Sequence, residues 1–252
     1  MTATLALIGG TGINRWPGLD VVQPHRLETP WGPPSGPLIE GRLGGQSVVF
    51  LARHGDGHKI PPHAINYRAN IAALAALGIT RVVAIAAVGG IAEWLAPGGL
   101  ALPEDLIDYT TGREHSYSDG RPGAPLDHVE MTPAYDADLR ADLRLAAAAS
   151  GVTLCGEGVL GVTNGPRLET AAEIRRLQRD GCDMVGMTGM PEAALAREKG
   201  LAYACLAVSV NWGAGLKGGG SIHAEIEASI ARGMTQVQAL IAALISGAAA
   251  TA

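Results

Sequence analysis

The segment from Gly165 to Glu192 carries the start and stop signals of a helix directly before a short apolar run. Thr170 and Glu173 have the spacing of a capping box, in which each side chain accepts a hydrogen bond from a free amide of the first turn. Gly181 suits the left-handed residue that follows a helix. This order of signals is typical of a helix that packs against a sheet and leads into it. The segment therefore predicts a helix over Ala171–Arg179 and a buried strand over Met184–Met187.

Apolar runs and helical patterns alternate along the rest of the chain, as in sheets whose strands are largely parallel. With 252 residues, 47% of them hydrophobic, the simplest count is one α/β domain over residues 1–252. The other predicted strands are Leu5–Ile8, Ser47–Ala52, Val82–Ala87, Val159–Thr163 and Ala202–Val210. The other predicted helices are Ala64–Leu77, Ala137–Ser150, Pro191–Glu198 and Ala224–Leu244.

Charge, cysteines and histidines argue against several kinds of partner. The net charge of −5, without a basic run, gives no reason to expect nucleic-acid binding. Cys155, Cys182 and Cys205 form no C-x-x-C pair and are predicted to be reduced, buried residues of a cytoplasmic protein. His58 and His63 lack a carboxylate pattern, so no metal site is predicted. We also expect neither a signal peptide nor an apolar run of membrane-spanning length.

Two glycine- or polar-rich turns follow the first two predicted strands. The GGTG turn brings backbone amides and the Thr11 hydroxyl close to an anion, although an ordinary tight turn has the same composition. It does not match the dinucleotide fingerprint, because Arg15 occupies the third glycine position. In the second turn, Arg53 suits a forked contact to phosphate with His54 donating beside it, and a surface pair is the alternative.

Three further features point to the same edge of the sheet. The small residues of the AAVGG turn at 86–90 leave room for a ligand and expose amides, or simply allow close packing. A further turn over Ser209–Gly213, at the end of the predicted strand Ala202–Val210, presents the Asn211 carboxamide, although asparagine is also a common turn former. Thr188 precedes a helix whose first turn contains Pro191, and helix N-termini favour anions.

These motifs together resemble one family. GGTGI, ARHG followed by NYRAN, the GPRLET and VGMTGMPE block, and VSVN are similar to the methylthioadenosine phosphorylase and purine nucleoside phosphorylase family, including bacterial S-methyl-5′-thioinosine phosphorylases. The resemblance implies an α/β three-layer fold with a central mixed β-sheet flanked by helices. It implies a pentosyltransferase in which orthophosphate, a co-substrate, attacks C1′ of a purine nucleoside without any cofactor. The implied phosphate ligands are Thr11, Arg53, His54, Ala86, Ala87 and Thr188.

The resemblance also implies the substrate site. Met187 would pack against the ribose, and Glu169 and Asn211 would act on the base, with Trp212 and Gly213 beside them. A 6-oxopurine presents an N1–H donor and an O6 acceptor, which match a carboxylate and an amide group. Adenine-selective relatives carry aspartate at the position of Asn211. The expected reaction is phosphorolysis of S-methyl-5′-thioinosine to hypoxanthine and 5-methylthioribose 1-phosphate in purine salvage.

The 5′ group and the assembly are less constrained. The thioinosine enzymes have an apolar 5′ pocket, whereas His223 falls on that pocket here and could bind a 5′-hydroxyl. A general inosine and guanosine phosphorylase is therefore the alternative. The irregular stretch 108–133 matches a region that closes a neighbouring site in trimeric relatives, so a homotrimer is expected, with His128 or Met131 reaching across.

Two other classes are weighed against this reading. A nucleoside hydrolase or a dinucleotide-dependent oxidoreductase would need calcium-binding aspartates or an intact G-x-G-x-x-G, and the sequence has neither. A non-catalytic nucleoside-binding protein would have no use for phosphate ligands. The presence of Arg53, His54 and Thr188 argues against that class.

Overall fold

The computed structural model describes residues 4–13, 15–121, 126–217 and 222–250, with side chains left out at 222–225 and 248–250. This part of the chain contains eleven strands and five α-helices. The strands are Leu5–Gly9 (β1), Asp20–His25 (β2), Leu38–Leu43 (β3), Gln46–Ala52 (β4), Arg81–Gly90 (β5), Leu100–Ala101 (β6), Asp105–Asp108 (β7), Leu154–Gly156 (β8), Val159–Val162 (β9), Met184–Gly186 (β10) and Ala202–Trp212 (β11). The helices are Tyr67–Ala76 (α1), Ala137–Ser150 (α2), Ala171–Arg179 (α3), Gly189–Glu198 (α4) and Ile222–Ala250 (α5).

Two helices have the predicted bounds, because local signals set both of their ends. In α3 the Thr170 hydroxyl accepts from the Glu173 amide at 3.2 Å, and the Glu173 carboxylate accepts from the Thr170 amide at 2.7 Å. Gly181 follows with φ +92°, in the left-handed region. In α2 the Asp136 carboxylate caps the first turn and Gly151 ends the helix at φ 69°. The capping box and the helix are thereby confirmed.

Two predicted turns are strand instead. β5 continues through the AAVGG run to Gly90, and β11 continues through Asn211 to Trp212. Both runs have partners, since the last residues of β11 pair with the last residues of β5 across a bulge between Ser209 and Asn211. Small residues read as a turn in the sequence, but here they let strands approach closely in the middle of the sheet.

The sequence patterns missed five strands: β2, β3, β6, β7 and β8. β2 forms an edge of the sheet and is largely exposed, so it lacks the apolar signal of a buried strand. β6 and β8 have only two and three residues, too few to show a period. Pairing with neighbouring strands, which no short window can detect, determines these elements.

All eleven strands belong to one mixed sheet with helices on both faces, as expected from the resemblance. The main path runs β2-β3-β4-β1-β5-β10-β9-β7, and β11 lies on the other side of β5 and leads to β6 and β8. Helices α1 and α4 pack on one face of β1, beside Ala6 and Ile8. Helices α2 and α5 pack on the other face, beside Leu5 and Leu7. The alternation along β1 gives the three layers.

The sheet splits at the middle of β5. β1 runs parallel to β5 and pairs with Arg81–Ala84. β10 runs antiparallel to β5 and pairs only with Gly89 and Gly90. The carboxyl ends of β1 and β10 therefore point toward each other, and the edge of β5 over residues 85–88 has neither of them as a partner. We call this opening the strand gap.

Helix α5 corrects one expectation. Ile226–Gly247 is long and apolar enough to cross a membrane by length and composition, although no such run was expected. Its apolar side includes Val237, Leu240 and Ile241, which are fully buried against β11 and α2. The run was not recognised in the sequence because its many alanines are interspersed with polar residues. Its apolar character matches packing against the core.

The cysteines follow the prediction only in part. Cys182 and Cys205 are buried, whereas Cys155 is exposed on the short strand β8. All three are free thiols. A three-residue strand buries few side chains, which explains why Cys155 departs from the expected burial.

Candidate active site

A cavity of about 470 Å³ opens at the strand gap. Most of the residues predicted to bind phosphate or nucleoside line it, although they come from distant parts of the chain. Trp212 is not part of the described lining; its indole ring lies 4.6 Å from the Lys217 ammonium group. The His223 side chain lies outside the described residues. The predicted residues that line the cavity are Thr11, Arg53, His54, Ala86, Ala87, Glu169, Met187, Thr188, Asn211 and Gly213.

Arg53 is held at the cavity wall by a buried carboxylate. Its Nε and Nη2 atoms each donate to Glu192, both at 2.8 Å, and its Nη1 donates to the Ile85 carbonyl at 3.1 Å. The Tyr203 hydroxyl donates to the same carboxylate at 2.8 Å. Arg53 is 1% exposed and Glu192 is fully buried. A guanidinium has five N–H donors, so two of them remain for a ligand.

Gly10 allows β1 to end close to this arginine. A β-carbon on Gly10 would lie 2.7 Å from the Ile85 carbonyl oxygen and 3.0 Å from Arg53 Nη1. Contacts this short would push the guanidinium away from the strand gap. The glycine of the first turn is therefore required by the close approach of the arginine, whatever the ligand.

The strand gap also exposes a backbone donor. The Ile85 carbonyl faces the gap, since it accepts from Arg53 there. Alternate residues of a strand direct their N–H and C=O groups to the same side, so the amide of Ala87 faces the gap as well. Thr188 lies opposite, 7% exposed, at the N-terminus of α4. The gap therefore combines guanidinium, amide and hydroxyl donors, a combination suited to an anion.

His54 differs from its predicted role as a donor. Its Nδ1 lies 2.8 Å from the Ile60 carbonyl, which can only accept, so Nδ1 carries the proton. Burial, reinforced by the charge of Arg53, lowers the pKa of His54 to about 4. The ring is neutral at physiological pH, and its Nε2 is an acceptor. Toward an anion it suits a protonated oxygen, such as the hydroxyl of hydrogen phosphate.

The shifted His54 has a consequence for acid stability. Its folded-state pKa lies below the ordinary 6.5, so the unfolded chain takes up a proton first as the pH falls. As the pH falls from about 6.5 to 4, we expect the unfolding free energy of wild type to decrease more than that of His54→Gln. Above pH 7 the unfolding free energies of the two proteins should change with pH in the same way. The upper limit is about 3 kcal/mol, reduced by screening through the cavity mouth. Urea unfolding of both proteins across this range measures the difference, and parallel curves would contradict the assignment.

Two further polar side chains, those of Glu169 and Asn211, line the cavity. Glu169 accepts from the Thr163 hydroxyl at 2.6 Å. Asn211 donates one amide hydrogen to the Trp212 carbonyl at 2.7 Å, which leaves its second N–H and its carbonyl oxygen available. A β-carbon on Gly89 would lie 3.6 Å from Asn211 Nδ2, so that glycine keeps the space beside the amide open.

Apolar side chains form the rest of the wall. Leu168, 47% exposed, and Val185 line the cavity. Ile60 and Pro61 line it beside His54, and Ile226 contributes from the first turns of α5. The cavity is therefore amphipathic, with hydrogen-bond donors at the strand gap, the polar side chains of Glu169 and Asn211, and apolar walls.

Comparison with known proteins identifies the family. Residues 4–246 match the model of the phosphorylase superfamily. The chain belongs to this superfamily. It is 56% identical over 211 residues, 84% of each chain, to a probable S-methyl-5′-thioinosine phosphorylase of Xanthomonas campestris. It is 38% identical to the 6-oxopurine nucleoside phosphorylase of Pyrococcus furiosus, covering 96% of this chain and 91% of the relative.

A solved phosphorylase has the same fold. The methylthioadenosine phosphorylase of Schistosoma mansoni, in complex with adenine, superposes with a TM-score of 0.90 at 30% identity. The superposition covers 98% of this chain and 92% of the other. The expected three-layer phosphorylase fold is confirmed. The fold alone does not distinguish an adenine site from a 6-oxopurine site, which depends on individual side chains.

Several residues of this phosphorylase site were not singled out from the sequence. Glu192 reads as an ordinary first-turn acid of α4, and only the fold buries it against Arg53. Thr163 reads as the last residue of a strand. Leu168 and Ile226 read as common apolar positions. Among these residues, only Glu192 had a usable sequence signal. A carboxylate that follows a predicted anion site needs a cation partner, and Arg53 could have been considered as that partner.

The irregular stretch 108–133, of which residues 122–125 lie outside the described part of the chain, contacts the site through Arg113. Outside β7 its described residues form no helix or strand. Arg113 ties it to the site by donating to the carbonyls of Asn164 at 3.0 Å and Thr163 at 3.3 Å. Met131 packs against the core of its own chain, whereas His128 is exposed. Of the two residues expected to reach a neighbour, His128 has the suitable exposure.

Proposed function

We propose that this protein catalyses phosphorolysis of 6-oxopurine nucleosides, with S-methyl-5′-thioinosine as its main substrate and hypoxanthine and 5-methylthioribose 1-phosphate as products. The observation that carries the proposal is the sharing of one cavity by an anion-binding centre and by Glu169 and Asn211. The phosphorylase superfamily membership and the names of the relatives point in the same direction.

In this proposal hydrogen phosphate is bound in the strand gap. The free N–H groups of Arg53, the Ala87 amide and the Thr188 hydroxyl donate to its oxygens. His54 Nε2 accepts its remaining proton. Because Arg53 is paired with Glu192, hydrogen bonds and orientation contribute more than net charge. The predicted roles of Thr11 and of the Ala86 backbone belong to the same centre.

The chemical step is a displacement at C1′. A phosphate oxygen forms the new C1′–O bond as the C1′–N9 bond breaks, and the bonding electron pair leaves with the base. The sugar develops positive charge beside the phosphate, while negative charge develops on the purine toward N7 and O6. An N–H of Asn211 stabilises that charge, and Met187 packs against the ribose.

The choice of base follows from hydrogen-bond complementarity. A carboxylate can only accept, so Glu169 matches the N1–H of hypoxanthine or guanine and opposes the unprotonated N1 of adenine. Asn211, with one N–H already used on Trp212, offers its second N–H to O6 or N7. Adenosine and methylthioadenosine would leave these groups unpaired in a partly dehydrated cavity, which is costly.

The 5′ group is assigned from the walls. Ile60, Pro61 and Ile226 provide apolar surface that suits a methylthio group. The alternative is a general inosine and guanosine phosphorylase, in which His223 binds a 5′-hydroxyl. In the sequence His223 stands three residues before Ile226, which lines the cavity, so that alternative is kept in the test.

We also propose a cytoplasmic homotrimer that acts in purine salvage. The exposed His128 supports a contact from one subunit toward a neighbour's site. Two of the three free cysteines are buried, which suits a reducing compartment. Sedimentation of wild type and His128→Ala, together with their activities, tests whether assembly and turnover depend on this residue.

The proposed function is tested with a product assay. Methylthioinosine, inosine, guanosine and adenosine are each incubated with the enzyme, with and without phosphate, and the free base is quantified. We expect phosphate-dependent release of hypoxanthine, fastest from methylthioinosine, and little adenine. Base release without phosphate would indicate a hydrolase, and rapid adenosine cleavage would contradict the roles of Glu169 and Asn211. Equal rates for inosine and methylthioinosine would favour the alternative.

A further inference from the structure

We propose that Thr163 is a positioning residue that holds the Glu169 carboxylate toward the purine and thereby contributes to selection of 6-oxopurines. The inference rests on the proposed function, because it assigns a role within the same site. Thr163 follows strand β9 and its hydroxyl donates to Glu169 Oε1 at 2.6 Å. An ionised carboxylate only accepts hydrogen bonds, so this contact uses one oxygen and leaves Oε2 for the base.

Thr163 itself is firmly placed. Its amide donates to the Gly186 carbonyl at 2.9 Å, which ties it to the end of β10. Its own carbonyl accepts from Arg113 at 3.3 Å. The hydroxyl is therefore presented from a backbone fixed on both sides, as an orienting group requires.

Glu169 needs such an orienting group because it borders two cavities. It lines the site described above and also a second cavity of about 460 Å³. Tyr109, Asn164, Arg167 and Arg176 are among the residues that line the second cavity. A glutamate in this position has space on both sides, and only one of the two directions brings it to a substrate.

The second cavity also contains charges that attract a carboxylate. Arg167 is one such competitor, since its charge interacts with that of Glu169. Glu173 occupies this guanidinium with two hydrogen bonds, of 2.8 and 2.7 Å. Arg176 lies over the Tyr109 ring and 3.7 Å from Asp180. These partners reduce the pull on Glu169. Thr163 itself lines the second cavity, and its hydroxyl takes up Oε1 on that side, which leaves Oε2 for the substrate side.

The test compares Thr163→Val, which keeps the shape and removes the hydroxyl, with Thr163→Ser, which keeps the hydroxyl. We expect Thr163→Val to lower kcat/KM for inosine and methylthioinosine on the order of 10- to 100-fold, as for loss of a hydrogen bond to a charged group. Thr163→Ser should stay within about threefold of wild type. The ratio of inosine to adenosine turnover should fall in the valine variant only.

A double-mutant cycle with Glu169→Ala separates positioning from a general structural effect. If Thr163 acts through the carboxylate, Thr163→Val should cause little further loss in the Glu169→Ala background. Full additivity, or a valine variant with wild-type kcat/KM, would overturn the inference. Thermal unfolding verifies that each variant is folded, and a valine variant that melts early while the serine variant remains impaired would also count against it. If the wild-type enzyme is inactive on every 6-oxopurine nucleoside, the proposed function itself is refuted.

Discussion

Replacing Asn211 with alanine is expected to lower kcat/KM for methylthioinosine and inosine by about 100- to 1,000-fold, the usual effect of removing a donor aimed at developing charge. The side chain makes one hydrogen bond to the Trp212 carbonyl and otherwise faces the cavity. Its loss should therefore cost only about 1 kcal/mol of unfolding free energy. Steady-state kinetics with saturating phosphate and urea unfolding measure the two effects separately.

Asn211→Asp is the matched variant, because it changes one group at almost constant volume. A carboxylate there would face the Trp212 carbonyl and the O6 of a 6-oxopurine, both acceptors. It should lose activity on inosine while retaining or gaining activity on adenosine, whose amine is a donor. If Asn211→Ala is as active as wild type, the role assigned to Asn211 is refuted, whatever the activity of Asn211→Asp.

Replacing Glu192 with glutamine is expected to lower the unfolding free energy by about 3 to 5 kcal/mol, because it leaves the charge of Arg53 buried without its partner. The ion pair has two hydrogen bonds and neither side chain is more than 1% exposed. Phosphate affinity should fall as well, since the guanidinium loses the carboxylate that orients it. Urea unfolding and KM for phosphate report on the two consequences.

Two controls make this result specific. Glu93→Gln changes an exposed carboxylate and should shift stability by no more than about 0.5 kcal/mol. The double variant Arg53→Met, Glu192→Leu replaces both buried charges by apolar side chains of similar size and should recover much of the stability. It should remain inactive, because the phosphate donor is gone. Full stability in Glu192→Gln alone would show that the pair is not a buried ion pair in solution.

Local signals predicted the elements whose ends are determined within a few residues. Thr170 and Glu173 specify the start of α3 through hydrogen bonds that span one turn, and Gly181 specifies its end. Arg53, Thr188 and Asn211 line one cavity, as expected from their predicted positions at strand ends. Arg53 and Thr188 follow strands, whereas Asn211 lies within the last residues of β11. Edge and two-residue strands were missed, since their pairing partners lie far away in the chain.

The sequence by itself determined the alternation of strands and helices, the capped helices and the chemical types available at the strand ends. Only the tertiary structure decided how these groups act. Arg53 and Glu192 are 139 residues apart, and their pairing depends on the packing of α4 against β9 and β11. His54 presents Nε2 as an acceptor because its Nδ1–H donates a hydrogen bond to the Ile60 carbonyl. Hydrogen-bond direction, burial and the meeting of strand ends depend on contacts between residues that are far apart in the sequence. A local sequence pattern therefore does not predict them.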